Sequence, residues 1–278
     1  MPEGPEIRLA ADKIANAIVN QPITEVFFAF ESLQSYAPEL ARSQVISVCP
    51  RGKALLTRFD NGWTIYSHNQ LYGVWYIRKA KTYPQTNRQL RLAIHTAKKS
   101  ALLYSASDIL VLNDDDLAIH PFLQKLGPDV LDDRINVEDV ETRLLDKRFF
   151  RRGFPTLLLD QQFVCGLGNY LRSEVLFLAG IHPTARPIDC TSEQICKLAQ
   201  AILNVPRQSY ATKGVTNDLK IALALKAQGK PRSFYRHWVF SRTNQPCYVC
   251  DDTIVKDTVG GRRVYYCPSC QVKQRYVI

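Results

Sequence analysis

Along residues 5–20 the apolar positions Ile7, Ala10, Ala11, Ile14, Ala17 and Ile18 return at three- and four-residue intervals, which predicts an amphipathic helix. Pro5 suits its first turn, where a missing amide loses no intrahelical bond. The period then changes. Short β-like runs follow one another: ITEVFFAF, QVISV, ALLTRF, WTIYSH, GVWYIR, QLRLAIHT and ALLYSASDILVL. Turn signals such as PRGK and DNGW separate them. Many short strands joined by close turns predict an antiparallel β-sandwich.

The stretch Gln124–Asp133 (QKLGPDVLDD), with a Gly-Pro pair among acids, reads as part of a linker. Beyond it the helical period returns in VEDVETRLL, FPTLLLDQQ, NYLRSEVLFLAG and TSEQICKLAQAILN. Thr191 stands three residues before Gln194, a capping-box spacing that marks the start of the last of these. The chain therefore reads as an α+β multidomain protein. A β-sandwich with an N-terminal helix spans 1–123, a linker 124–135, a helical domain 136–230, and a small metal-bound appendix with a basic tail 231–278.

Composition narrows the class of partner. Hydrophobic residues make up 46% and charged ones 22%, a globular balance. The 36 Lys+Arg outnumber the 26 Asp+Glu and leave +10 at neutral pH, which suits a polyanion, nucleic acid before membrane. Residues 231–278 hold eight bases and three acids, a net +5, whereas residues 108–146 hold eleven acids and three bases, a net −8. The acidic run predicts a solvated surface turned away from nucleic acid. Asp12, Lys13 and Asn16 interrupt the apolar stretch near the start, so no secretory signal is readable, and no run is long enough to span a bilayer. The expected setting is the cytoplasm, with no membrane partner. Cys49, Cys165, Cys190 and Cys196 lie scattered in apolar or helical stretches and are expected to be reduced, buried thiols.

The remaining four cysteines are different. Cys247-x2-Cys250-x16-Cys267-x2-Cys270 offers two knuckles of two thiolates each, enough to close a tetrahedron around one structural Zn2+ with no open position for catalysis. No catalytic metal or organic cofactor is expected. Between the knuckles, Gly260-Gly261 forms a two-residue hairpin signal, which puts Arg262 and Arg263 at or beside the tip. Such a tip is as compatible with plain solvation as with probing a DNA groove. In LLLDQQFVCGLGNYLRSEVLFLAGIHP the reading is helix, tight turn, helix, with Gly166 and Gly168 at the turn and Asn169 at the head of the second helix. Backbone amides there and the Asn169 side chain can hold a phosphate, although an ordinary αα-hairpin has the same spelling.

Taken in order, PEGPE at the start, the GLGN element and the terminal four-cysteine finger resemble the formamidopyrimidine-DNA glycosylase/endonuclease VIII family, over Pro2 to Cys270. The resemblance implies a helix–two-turn–helix domain and a zinc-finger β-hairpin at the C-terminal end. It implies a protein acting on damaged double-stranded DNA, associated with the nucleoid; the lack of an obvious oligomerisation seam in the sequence points to a monomer. The activity implied is that of a bifunctional glycosylase/AP lyase of base excision repair. Pro2, exposed once Met1 is removed, takes the place of the nucleophile, and Glu3 that of the acid acting on the sugar ring oxygen. Glu6 is carried over as a further catalytic residue. Lys53, in PRGKALL, matches a proton donor and phosphate contact, Arg262 the finger arginine of DNA contact and δ-elimination, and Asn169 the phosphate-binding asparagine. An α-amine, with a pKa near 7.7–8, is far more often neutral at pH 7 than a lysine, which suits it to nucleophilic attack.

Within that family, SHNQLYGVW resembles the endonuclease VIII branch, with Gln70, Leu71 and Tyr72 as a wedge filling the gap left by an everted nucleotide. This points to oxidised pyrimidines. The same chemistry on oxidised purines, and a non-catalytic damaged-DNA-binding protein, are the alternatives. Lys125 stands where relatives commonly place a phosphate-contacting arginine. Residues 214–240 match the pattern less clearly and are expected to form a mobile loop near the base pocket.

Overall fold

The computed structural model describes residues 2–273; Met1 and residues 274–278, the end of the basic tail, lie outside the described residues. The chain divides into two compact units, Met1–Lys125 and Leu126–Ile278. Among the described residues no helix is long and apolar enough to cross a membrane.

The first unit opens with α1 (Gly4–Ile18). Glu3 is its N-cap and Pro5 sits in its first turn, so the first helical bond is Ile7 N–H to the Glu3 carbonyl at 3.0 Å. The helix buries Ile7, Ala11, Ile14, Ala17 and Ile18. It ends two residues earlier than its pattern suggests, because Asn20 takes a left-handed φ of +56°, which asparagine tolerates.

β1 (Ile23–Phe28) follows, then the single-turn helices α2 (Glu31–Gln34) and α3 (Ala37–Leu40). The strands β2 (Val45–Arg51), β3 (Ala54–Phe59), β4 (Thr64–His68), β5 (Val74–Lys79), β6 (Leu90–Thr96), β7 (Lys99–Tyr104) and β8 (Asp108–Leu112) complete the set. They form two four-stranded antiparallel sheets, ordered β1-β6-β7-β5 and β2-β3-β4-β8. Phe28, Leu92 and Leu103 from one sheet meet Val45, Leu55, Phe59 and Ile65 from the other, together with Ile14 and Ile18 of α1. Each such side chain contributes roughly 1.5–3 kcal/mol on burial, so the antiparallel sandwich read from the sequence has an ordinary two-sheet core.

The run ALLYSASDILVL is two strands, not one. Ser105 adopts φ +56° and the chain leaves one sheet as β7 and joins the other as β8. No glycine or proline marks the switch, so the pattern hid it. After β8 come α4 (Asp114–Ile119) and a 3-10 turn at Leu123–Lys125. Asp114, Asp115 and Asp116 lie exposed in the first turn of α4, where carboxylates suit the positive end of the helix.

The second unit holds α5 (Val137–Leu145), α6 (Phe154–Leu157), α7 (Asn169–Leu178), α8 (Ser192–Ala211), α9 (Leu219–Ala227), α10 (Arg232–Tyr235) and the hairpin β9 (Val255–Val259)–β10 (Arg262–Tyr266). Val140, Leu144, Phe163, Leu171, Val175, Leu198 and Ile202 form its main core. The stretch read as a linker lies against residues 161–165 through Gly127 N–H to Gln161 O and Cys165 N–H to Pro128 O, at 2.8 and 2.9 Å. A Cβ on Gly127 would fall 2.5 Å from two carbonyl oxygens, so this approach requires glycine.

Several expectations change here. FPTLLLDQQ supplies only one helical turn, α6. The helix opened by the Thr191–Gln194 capping box, which is present, continues past Asn204 through Pro206 to Ala211. Proline there removes a helical bond, but Val205, Pro206 and Ser209 are buried, and packing outweighs propensity. Residues 214–240 are not a plain loop: they contain α9 and α10, and Thr216 N–H and the Asn217 amide bind the Arg236 and Tyr235 carbonyls at 2.8 and 3.2 Å. Of the four scattered cysteines only Cys165 is buried. Cys49 is exposed because β2 turns alternate side chains outward, and Cys190 and Cys196 are half-buried.

Candidate functional site

In the first unit, Pro2 and Glu6 line a groove of about 490 Å³ between α1 and β5, with Asn69, Gly73, Trp75 and Lys13 on its walls. Glu3 is only 4% exposed. Its amide donates to Glu6 Oε2 at 3.0 Å, half of a capping box at the head of α1. A Glu at N3 reaching back to the N-cap amide is a general helix-start device. Here it fixes the backbone that carries Pro2 and Glu3.

Lys53 occupies a two-residue turn between β2 and β3, with Arg51 paired to Ala54 across it. Gly52 takes φ +59°, the left-handed geometry that such turns need. A lysine in a glycine turn is usually exposed, yet Lys53 is 7% exposed. Its charge acts on the His68 imidazole on the neighbouring strand.

The turn between β4 and β5 is tighter still. Gly73 N–H donates to the Asn69 carbonyl at 2.7 Å, and a Cβ on Gly73 would lie 2.6 Å from that oxygen. Gln70 adopts φ +49°, with its amide on His68 Nδ1 at 3.0 Å and its side-chain oxygen accepting from Ser107 Oγ at 2.7 Å. Arg88 donates to the Tyr72 carbonyl at 2.6 Å. These bonds hold Leu71 and Tyr72 outward, 56% and 67% exposed. They are not core residues of a strand turn. Lys125 is exposed at the end of its 3-10 turn.

In the second unit, Gly166 turns the chain with φ +102°, and Gln161 ties the loop through Gly166 N–H at 3.1 Å and the Leu167 carbonyl at 3.1 Å. Gly168 is the N-cap of α7 and Asn169 its first residue. Arg172, fully buried, gathers three groups: the Pro155 carbonyl at 2.6 Å, Asn169 Oδ1 at 2.9 Å and the Arg263 carbonyl at 2.7 Å. With its oxygen accepting from Arg172, the Asn169 side chain is oriented with its NH2 end as a hydrogen-bond donor. Arg262 and Arg263 are exposed beside the Gly260-Gly261 turn, whose φ values of +58° and +72° fit the two-residue hairpin.

Two positions behind Arg172, Glu174 is also fully buried. Its carboxylate accepts the Trp238, Val239 and Phe240 amides at 2.8, 2.9 and 2.9 Å and the Thr216 hydroxyl. Burial pushes its pKa up while these donors pull it down. Thr216 in turn meets His237 Nδ1 at 2.9 Å, and burial depresses the His237 pKa to about 3.

Cys247, Cys250, Cys267 and Cys270 bring their sulfurs within 4.8 Å of one another, with individual separations of 3.4, 3.5 and 3.8 Å. Thiolates about 2.3 Å from a tetrahedral ion stand about 3.8 Å apart. The four residues fit one metal ion.

Comparison with known proteins finds relatives over nearly the whole chain. Residues 1–107 match the formamidopyrimidine-DNA glycosylase N-terminal domain, and residues 126–220 its H2TH domain. A relative named Endonuclease 8, from Escherichia coli O17:K52:H18, is 49% identical over 271 residues, covering 98% of this chain and 100% of the relative. The chain belongs to the formamidopyrimidine-DNA glycosylase/endonuclease VIII family. A second Endonuclease 8, from Klebsiella pneumoniae, is 48% identical over the same shares of both chains. In fold, the chain is similar to Lactococcus lactis Fpg in complex with abasic-site DNA, with a TM-score of 0.80 at 22% identity over 98% of this chain and 100% of the other.

Within this family fold the structure gathers Pro2, Glu3 and Glu6 at the head of α1. It gathers Asn169 and the Arg263 carbonyl around Arg172, whereas Arg262 stays exposed at the hairpin turn. Sequence reasoning missed Gln161, Arg172, Glu174 and His237. Arg172 and Glu174 stand two apart on one helix, a spacing that reads as solvated charge, and only their burial reveals them.

Proposed function

We propose that the protein removes oxidised pyrimidines from duplex DNA with Pro2 as nucleophile and then cleaves the strand by β,δ-elimination. At the coarser level it is a DNA glycosylase/AP lyase of oxidised-base repair. The observation that carries the finer reading is the head of α1: Pro2 on the wall of a groove, directly before a buried Glu3 that Glu6 locks at the N-cap.

With Met1 removed, the Pro2 secondary amine adds to the sugar C1′ as the damaged base departs and takes a proton. Glu3 protonates the ring oxygen as the sugar opens. The resulting iminium has no N–H to lose, so it keeps its positive charge and acidifies the C2′ hydrogen. Loss of that hydrogen expels the 3′-phosphate, a second elimination expels the 5′-phosphate, and water releases the amine. Lys53, buried beside the β3–β4 strands, serves the elimination as proton donor and phosphate contact, and Arg262 serves the δ step. Lys125 and Asn169 hold phosphates, whereas Gln70, Leu71 and Tyr72 fill the place of the everted nucleotide.

The cysteine cluster suits zinc, which when bound pins the β9–β10 hairpin and leaves no open position for chemistry. We assign the protein to the cytoplasm as a monomer working on nucleoid DNA. The endonuclease VIII-like spelling Gln70-Leu71-Tyr72 and the relatives named Endonuclease 8 support the pyrimidine branch over oxidised purines, the second reading.

Borohydride trapping on a duplex holding one thymine glycol tests the proposal, comparing intact protein with Pro2→Gly and a Met1-retaining form. A covalent adduct requiring free Pro2 is expected. An adduct on an abasic site but not on thymine glycol would move the substrate to other bases; none on either would leave a DNA-binding protein without this chemistry.

A further inference from the structure

The mechanism uses none of the first unit's three imidazoles, His68, His95 and His120, and one of them touches the Gln70–Tyr72 turn. His68 ends β4, half-buried, pairing with Ala54 of β3 and Asp108 of β8. The Phe122 ring meets it edge-on at 5.6 Å between centroids. Its Nδ1 accepts the Gln70 amide at 3.0 Å, and Gln70 is the residue whose φ of +49° bends the chain before Leu71 and Tyr72. A left-handed backbone is uncommon for a side chain of this type and needs support. An imidazole nitrogen accepts only through a free lone pair; in the imidazolium both nitrogens are N–H donors. The Gln70 bond therefore demands a neutral ring with its proton on Nε2.

We propose that His68 is a positioning residue of the Gln70–Tyr72 turn: its neutral Nδ1 holds Gln70 in the left-handed conformation that presents Leu71 and Tyr72, and a proton on the ring releases that hold. The surroundings support the neutral state. Burial is the main influence and lowers the His68 pKa below the ordinary 6.5; Asp108 on β8 opposes it, and Lys53 on the β2–β3 turn reinforces it. Tyr66, two residues back on the same strand, is hydrogen-bonded to Asp108 and stacked with His120, 4.6 Å between centroids. Because the folded pKa is depressed, the hold is complete above about pH 6.5 and is lost as pH falls through the lower folded value. The link to DNA rests on the proposed role of this turn; the His68–Gln70 bond does not.

The test is affinity for a duplex holding a chemically inert tetrahydrofuran abasic analogue, so that titration of the Pro2 amine does not enter through chemistry. Wild type, His68→Asn, His68→Ala and Leu71→Ala are compared from neutral pH down through the pH at which the 15N shifts of the wild-type ring report its protonation, with undamaged duplex as reference. Asparagine Oδ1 can stand in for Nδ1 without titrating. His68→Asn is expected to match wild type at the neutral end and to bind about tenfold more tightly at the acid end, the worth of one hydrogen bond. His68→Ala is expected to bind about tenfold more weakly than wild type near neutral pH. An acid limb in His68→Asn as steep as that of wild type, or His68→Ala equal to wild type near neutrality, overturns the proposal. Leu71→Ala without loss of abasic-site affinity would instead sink the DNA role of the turn. In that event the imidazole 15N shifts of the free protein still decide on the His68–Gln70 bond: an unprotonated Nδ1 supports it, and a dominant Nδ1–H tautomer overturns it.

Discussion

The two units hold their functional side chains by opposite means. In the first, the main devices are local: Glu6 caps the amide three residues before it, His68 accepts from Gln70 two residues on, and Gly73 closes on Asn69, with Arg88 and Ser107 adding exposed bonds from farther along the chain. In the second, buried charges reach across the chain. Arg172 joins Asn169 to the Arg263 carbonyl 91 residues away, and Glu174 holds amides 64 to 66 residues away. The difference has a physical consequence. A local device shapes what a loop presents and can fail without unfolding anything else. A buried charge is bound to the core it sits in, so geometry and stability there stand or fall together.

The largest expected effect follows from removing such a charge. Glu174→Ala strands the Trp238, Val239 and Phe240 amides and the Thr216 hydroxyl in a buried site. Breaking a network of this kind costs about 3–5 kcal/mol, and denaturant unfolding followed by tryptophan fluorescence measures it. A loss under about 1 kcal/mol, the worth of a single ordinary hydrogen bond, would show that residues 237–240 are fixed by something other than Glu174.

His237 gives the next effect, and it depends on pH. Its folded pKa of about 3 lies below the ordinary 6.5, chiefly through burial. The depressed value means that its contribution is whole above 6.5 and is lost as pH falls toward 3, because the unfolded chain takes up the proton first. One such group gives a slope of at most about 1.4 kcal/mol per pH unit. Melting temperatures recorded down through this window should fall more steeply for wild type than for His237→Asn. Parallel curves would remove His237 as the titrating group.

The same contrast decides what was legible in the sequence. Features written in a few adjacent residues were readable: the α1 pattern, the Thr191–Gln194 box, the Gly260-Gly261 turn and the paired Cys-x2-Cys knuckles. Features created by distant packing were not. Nothing near Ser105 signals that the chain changes sheets, and Pro206 argues against a helix that burial of Val205 and Ser209 sustains. Arg172 and Glu174 carry no local mark, since charge on a helix ordinarily means solvent. Lys53 is the instructive intermediate: its turn is written in Arg51-Gly52-Lys53, but its burial is a property of the assembled sandwich. For the candidate site, sequence supplied residues through a family resemblance, and the structure supplied what holds them.

The smallest effect on stability belongs to the most exposed of these residues. Tyr72 is 67% exposed and its ring supports no core, so Tyr72→Ala should change unfolding free energy by no more than about 0.5 kcal/mol, as surface substitutions do. Stacking of an aromatic ring on a base is worth about 1–3 kcal/mol, so affinity for a lesion duplex should fall roughly five- to 150-fold, a range set by that energy. Affinity for undamaged duplex should hardly move, because phosphate contacts carry it. Measured together, melting and lesion binding separate the two kinds of support. A large loss of stability would mean that Tyr72 packs as the second unit's residues do, whereas unchanged lesion binding would leave the turn well built but without contact to the DNA.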